Sequence, residues 1–213
     1  MKPYKTVDQS SEASFEIQKS TFIGYAKRVQ TEEEAQEFLT SIKKEHPQAR
    51  HHCSAWILSD QRKRFDDDKE PQGTAGLPIL RVLEGQGLTK TAVVVVRYFG
   101  GVLLGTGGLT RAYGRAASLA VDEARICMRV PLQSLFVEID YTLWGQVEHE
   151  LKSKNKEIVN LTFLDKVHCT FLTEEECIKD WEAYFASISQ GKIQVIQKEI
   201  VWRSQPIEGE ENE

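Results

Sequence analysis

Several things are missing from this 213-residue chain, and each absence removes a class of protein. No apolar run approaches the ~20 residues that a helix needs to span a bilayer, so no helical membrane segment and no membrane partner is expected. The opening residues, MKPYKTVDQSSEASFE, hold neither an apolar core nor a small-residue cleavage site, which argues against a secretory signal. The four cysteines (Cys53, Cys127, Cys169, Cys177) form no CxxC pair and no short-range framework. Reduced thiols in a cytoplasmic protein are therefore expected rather than a disulfide scaffold. There is no GxSxG elbow and no HExxH, the local marks of a hydrolase nucleophile and of a zinc protease. The formal net charge is −5, which argues against a general nucleic-acid coat protein. Acidic residues are also absent from one long interval, between Glu84 and Asp122.

That interval holds the most informative residues. An all-apolar run at 92–96 leads into Arg97, Tyr98 and Phe99, then five glycines in nine residues (Gly100, Gly101, Gly105, Gly107, Gly108), then a helical pattern from about residue 108. Strand, glycine loop and helix start is the order that makes an anion site. Glycine lets backbone N–H groups approach a ligand without an intervening Cβ, and the first helical turn has unpaired donors at the positive end of its dipole. Lys90, Arg97, Arg111 and Arg115 are basic, and Thr106 lies among the glycines. Together these residues predict a site for an anion or a nucleic-acid backbone. Tyr98 and Phe99 could add stacking surface for bases. No Lys-Ser or Lys-Thr pair follows the glycines, so the loop is not of the Walker A type.

Asp66, Asp67, Asp68 and Glu70 offer oxygen ligands that could hold Mg²⁺ beside a bound phosphate. A charged loop neutralised by Arg62, Lys63, Arg64 and Lys69 is the simpler reading, so no metal and no cofactor is predicted. His51, His52 and Cys53 are adjacent on a predicted strand. Neighbours on a strand point to opposite faces, so the two histidines cannot chelate one ion from it.

Organisation follows from periodicity. Thr31 and Glu34 form a capping box for a helix to about residue 44, with Ala35, Phe38, Leu39 and Ile42 on its apolar face. Strands are predicted over 52–58 and 91–98, a charged loop over 61–72, and helices from Gly73-Thr74 to Gly85 or Gly87 and over 108–125. A linker is placed at 128–133, marked by Pro131. Beyond it the pattern reads βαββαβ, the split βαβ of ferredoxin-like domains. The ending carries Glu208, Glu210, Glu211 and Glu213, so an acidic disordered tail is expected over 207–213. Removing those four carboxylates from the net −5 leaves a body near −1.

EPQGTAGLPIL, followed by VVVVRYFGGVLLGTGGLTRAYG and preceded by HHCSAW, resembles the signature of the IMPACT family in its bacterial, YigZ-type, two-domain branch. The resemblance implies an α+β chain: a ribosomal protein S5 domain 2-like domain over 1–130, then a ferredoxin-like domain over 131–206. Both folds recur in elongation factor G. The implied function is that of a non-catalytic, cytoplasmic binding protein associated with RNA or the ribosome. A protein partner in translation control is implied as well, since eukaryotic IMPACT regulates translation, though with an additional domain. Asp67, Asp68, Glu70, Gly73 and Thr74 lie in the motif as supporting residues. The alternative function is that of a Mg-dependent enzyme acting on a nucleotide or a small phosphorylated ligand. The family reads Asp-Asp-Gly-Glu-Pro where this chain has Lys69 between Asp68 and Glu70, and a lysine there argues against a positive φ.

Overall fold

The computed structural model describes residues 1–207. The acidic segment from 208 onward, expected to be disordered, lies outside the described residues. The chain divides into two compact units. One comprises Tyr4–Arg129 with Ser204 and the described residues after it; the other comprises Met1–Pro3 with Val130–Arg203.

The first unit begins with β1 (Tyr4–Val7), β2 (Ser11–Ile17), β3 (Ser20–Arg28), α1 (Glu32–Glu45), β4 (His51–Ser59) and β5 (Arg62–Asp66). It continues with α2 (Gly76–Gly85), β6 (Thr91–Tyr98) and α3 (Gly105–Glu123). Five strands form an antiparallel sheet in the order β2-β3-β6-β4-β5. Strand β6 explains the apolar run. It is central, and alternate side chains enter two different cores. Val93 and Val95 pack with α2 and α3, through Ile79, Leu83, Tyr113 and Ala116. Ala92, Val94 and Val96 pack with Phe38, Leu39 and Ile42 of α1. A strand covered on both faces needs an unbroken apolar sequence. Helix α1 opens as its capping box predicts, with Glu34 N donating to Thr31 Oγ1 at 3.2 Å.

Elements of this unit differ from the sequence reading at β5 and at the start of α3. The predicted loop at 61–72 contains β5, an exposed edge strand whose RKRFD composition hides its pairing with β4. Helix α3 starts at Gly105 rather than 108, so its first turn includes the glycines.

The second unit is built from the later part of β7 (Ile126–Ile139), α4 (Tyr141–Ser153), β8 (Ile158–Phe163), β9 (Val167–Thr173), α5 (Ile178–Ser189) and β10 (Ile196–Pro206). Its strands lie in the order β10-β7-β9-β8, the fourth, first, third and second strands of a βαββαβ chain. That is the ferredoxin-like sheet. Its core gathers Leu135, Val137, Phe171, Trp181 and Phe185. Residues 128–133, read as a linker, belong to β7. Pro131 falls between the stretch registered with β1, which ends at Arg129, and the stretch registered with β9, which starts at Gln133. A residue without an N–H is tolerated where neither register uses one. Among the described residues no helix is long and apolar enough to cross a membrane.

Candidate anion site

The acidic turn ahead of α2 is a scaffold. Asp67 accepts three backbone N–H bonds, from Gly73 through Oδ2 at 2.8 Å and from Ala75 and Gly76 through Oδ1 at 2.9 and 2.8 Å. These are donors at the start of α2, whose N-cap residue Ala75 makes no side-chain cap bond of its own. A carboxylate there satisfies orphan donors and complements the helix dipole. Asp68 Oδ2 accepts His52 N at 2.7 Å, and Thr74 Oγ1 donates to the Pro71 carbonyl at 2.6 Å. Lys69 adopts φ +70 and Asp68 φ +38, so the expectation against a positive φ at Lys69 is corrected. The surrounding bonds hold the turn in a conformation that lysine rarely takes.

Glu70 and Arg97 meet behind this turn. Arg97 NH1 donates to Glu70 Oε1 at 2.6 Å, and Tyr113 OH donates to the same oxygen at 2.8 Å. His51 Nε2 stands 4.0 Å from that oxygen, while His51 Nδ1 bonds the Asp68 carbonyl at 2.9 Å. Strand pairing sets this up, because His51 is registered opposite Arg97. Beneath them, burial pushes the Cys53 thiol and the Tyr113 hydroxyl well above their ordinary values.

Beyond this pair a cavity of about 400 Å³ opens toward the start of α3. Its polar lining comes from Arg50, His51, Lys69, Glu70 and Arg97, and Gly105 and Thr106 of α3 border it. Phe99, Leu103 and Leu104 form an apolar wall. Helix α3 has no side-chain cap and no acidic residue in its first turn, so its positive end is open to a ligand. The glycines serve different ends. A Cβ on Gly100 would stand 2.0 Å from the Lys19 backbone in the β2–β3 turn, so that glycine is structural. Gly105 takes φ +68 at the helix entry. Gly107 has an ordinary φ and nothing within 4 Å of where a Cβ would be, so nothing inside the chain requires it. A glycine in a helix costs about 1 kcal/mol relative to alanine. Room for a ligand at the open amides is a physical reason to keep it.

The structure sorts the predicted residues into those near the cavity and those elsewhere. It brings Arg97, Gly105, Thr106 and Glu70 together at the cavity. Arg97 is only 5% exposed and paired to Glu70, so it is not the surface cation that its sequence position implied. Tyr98 turns to the opposite sheet face, as strand alternation demands, and its hydroxyl bonds His46 Nδ1 at 2.9 Å. Lys90 lies at the far end of β6, with Nζ 4.2 Å above the Tyr4 ring. Eight strand residues separate it from the glycines, roughly 25 Å at ~3.3 Å each. Arg111 and Arg115 are exposed, and with Gly107 they follow a four-residue spacing that makes one stripe of α3. Sequence reasoning offered Phe99 as stacking surface and weighed His51 only as a metal ligand, and it did not select Arg50 or Leu103. Alternation links the first two to the site, because Arg97 and Phe99 share a side of the strand and His51 pairs across from Arg97.

A larger concavity, about 800 Å³, is lined by Asp8, Asp122 and Glu123 with one cation, Arg125. Its acidic lining disfavours an anion, so size is the poorer guide here.

An antiparallel sheet covered by helices on both faces, joined to a ferredoxin-like unit and bearing an open helix start beside a buried Arg–Glu pair, defines a two-domain α+β class: S5 domain 2-like followed by ferredoxin-like. Comparison with known proteins narrows this. Residues 18–121 match the Impact N-terminal domain, and 137–192 match a domain of unknown function, DUF1949. The chain is 36% identical over 201 residues to the IMPACT family member YvyE of Bacillus subtilis, covering 93% of each. It is 36% identical over 185 residues to the IMPACT family member YigZ of Escherichia coli, covering 85% of this chain and 91% of YigZ. A crystal structure described as that of a hypothetical protein is 33% identical, with a TM-score of 0.61, covering 93% of this chain and 98% of its own. The chain belongs to the IMPACT family.

Proposed function

We propose that the protein is a cytoplasmic, non-catalytic RNA-binding protein that grips phosphates at the start of α3 and along its exposed stripe, in the setting of translation control. The observation that carries this reading is the uncapped, acid-free first turn of α3, in which Gly107 has no structural requirement. Arg111 and Arg115 extend the same stripe, about 6 Å apart along the axis. Contacts of this kind position a strand without reading its sequence. The alternative, a Mg-dependent enzyme acting on a nucleotide or phosphorylated small molecule, needs carboxylates free for the ion. Asp67, Asp68 and Glu70 are each engaged by protein donors, which favours the binding reading.

The test is binding of a short single-stranded RNA as a function of salt. Affinity should fall with a log–log slope of about −0.7 per phosphate contact, and Arg111→Ala with Arg115→Ala should flatten that slope by about 1 to 2 units. Equal binding by wild type and the double variant at every salt concentration overturns the reading.

A further inference from the structure

We infer that the 400 Å³ cavity takes a phosphate monoester carried on an unpaired nucleotide, either a free nucleoside monophosphate or the 5′-phosphorylated end of an RNA strand. This rests on the phosphate site proposed above and adds what that site selects.

The first support is an unmade hydrogen bond. Arg97 commits NH1 to Glu70, but its Nε is buried without a partner, on a side chain that lines the cavity and is 5% exposed. A buried guanidinium N–H is costly to leave unpaired. An oxygen bound in the cavity would complete it on a small rotation of the side chain, since Nε itself presents almost no surface to the opening.

The second is charge. Arg50, Lys69 and Arg97 line the cavity against a single carboxylate, Glu70, and the start of α3 adds its own positive end. Three cations against one anion leave an excess that matches a monoester, with a charge of about −1.5 to −2 at neutral pH, better than a diester at −1. An internal RNA phosphate is a diester; only an end or a free nucleotide supplies the monoester.

The third is the apolar wall. Phe99 is 46% exposed and Leu103 84% exposed, both on the cavity rim. Exposed aromatic and aliphatic surface next to a phosphate site is where an unpaired base would stack. The Arg97 guanidinium lies 5.4 Å from the Phe99 ring centre, so phosphate and base subsites are adjacent. The volume falls at the low end of small-ligand pockets, roughly 300–1,000 Å³, which suits one nucleotide.

The experiment uses the full chain and one short single-stranded RNA made with either a 5′-phosphate or a 5′-hydroxyl. Adenosine monophosphate, adenosine and inorganic phosphate serve as competitors. The 5′-phosphorylated strand should bind about tenfold more tightly, the worth of one charge-assisted bond. Lys69→Gly removes a cation at a φ of +70 that glycine adopts freely, and Arg50→Ala removes a second cation from the exposed part of the cavity lining. Both variants should fold and both should lose the preference. Competition by adenosine monophosphate, but not by adenosine, shows that a free nucleotide suffices; discrimination between strands without such competition assigns the site to a strand end. Equal affinity for the two strands, with no binding of adenosine monophosphate, overturns the inference. If those strands still show the salt slope and its loss in the Arg111→Ala, Arg115→Ala variant, the RNA reading stands without it. Adenosine monophosphate binding with no salt-dependent RNA affinity upholds the monoester site and overturns the RNA reading.

Discussion

Arg97 and Glu70, 27 residues apart in sequence, form a buried ion pair at 2.6 Å, with side chains only 6% and 4% exposed. The pair ties the end of β6 to the turn before α2, and Tyr113 adds α3 to the same carboxylate. It therefore fixes the mutual placement of the elements that border the cavity.

Removing one partner should be strongly destabilising. Glu70→Ala leaves a guanidinium buried without its counter-charge and a tyrosine hydroxyl without its acceptor, which should cost about 3–5 kcal/mol. Replacing both partners, as Glu70→Leu with Arg97→Met, should cost less than Glu70→Ala alone, because no uncompensated charge remains. Urea unfolding of the two variants and the wild type checks this. A double variant less stable than the single one would show that the pair contributes by attraction rather than by mutual neutralisation.

Asp67 should behave as a cap acting at a distance. Asp67→Ala leaves three N–H groups near α2 without their acceptor, an expected loss of about 2–4 kcal/mol. Asp67→Asn keeps an oxygen for Ala75 and Gly76 but presents an NH₂ group to Gly73 N–H, so its loss should be smaller. Hydrogen exchange should place the Asp67→Ala damage at residues 73–79 first. Uniform acceleration across the sheet would count against a local cap.

Much of this was legible in the chain. The run at 92–96 marked a strand buried on both faces, the Thr31–Glu34 pair marked the start of α1, and the order after Pro131 marked the ferredoxin-like unit. What escaped was non-local or masked by composition. The four charges of RKRFD conceal an edge strand, because an edge tolerates them. The sequence over 14–29 allows two strands or one strand broken near Ser20, and the turn between β2 and β3 falls on Gln18 and Lys19, both at positive φ, where asparagine or glycine would have fixed its place. Arg97 looked like a surface cation because a positive residue beside glycines normally is one. Its burial depends on Glu70, and that partnership arises only once β4 and β6 are registered.

Lys69 offers a test of strain. A non-glycine residue at φ +70 costs roughly 1–2 kcal/mol, offset in part by the looser unfolded chain that glycine brings. Lys69→Gly should therefore raise stability by about 0.5–1 kcal/mol. Lys69→Ala should not, since alanine keeps the Cβ. A stabilised Lys69→Ala would show that charge at this position, and not backbone strain, was the cost.

The pH dependence of stability should be a plateau with two limbs of different origin. His52 is buried at 7% exposure, and burial lowers its pKa from the ordinary 6.5, against the opposing pull of the His46 carbonyl and the Asp68 charge. A lowered folded pKa means the unfolded chain takes up the proton first. Its contribution is then complete above 6.5 and declines as pH falls below it. Cys53 shifts the other way, raised from the ordinary 9.0 chiefly by burial. The unfolded thiol ionises first, so its contribution is complete below 9.0 and declines as pH rises past it. His52→Gln keeps a donor for the His46 carbonyl without titrating, and should flatten the acid limb while leaving the alkaline one. Cys53→Ala should do the reverse, on a lower plateau because a buried side chain has been shortened. Urea midpoints measured across the pH range separate the two, and an acid limb unchanged in His52→Gln would transfer that limb to other groups.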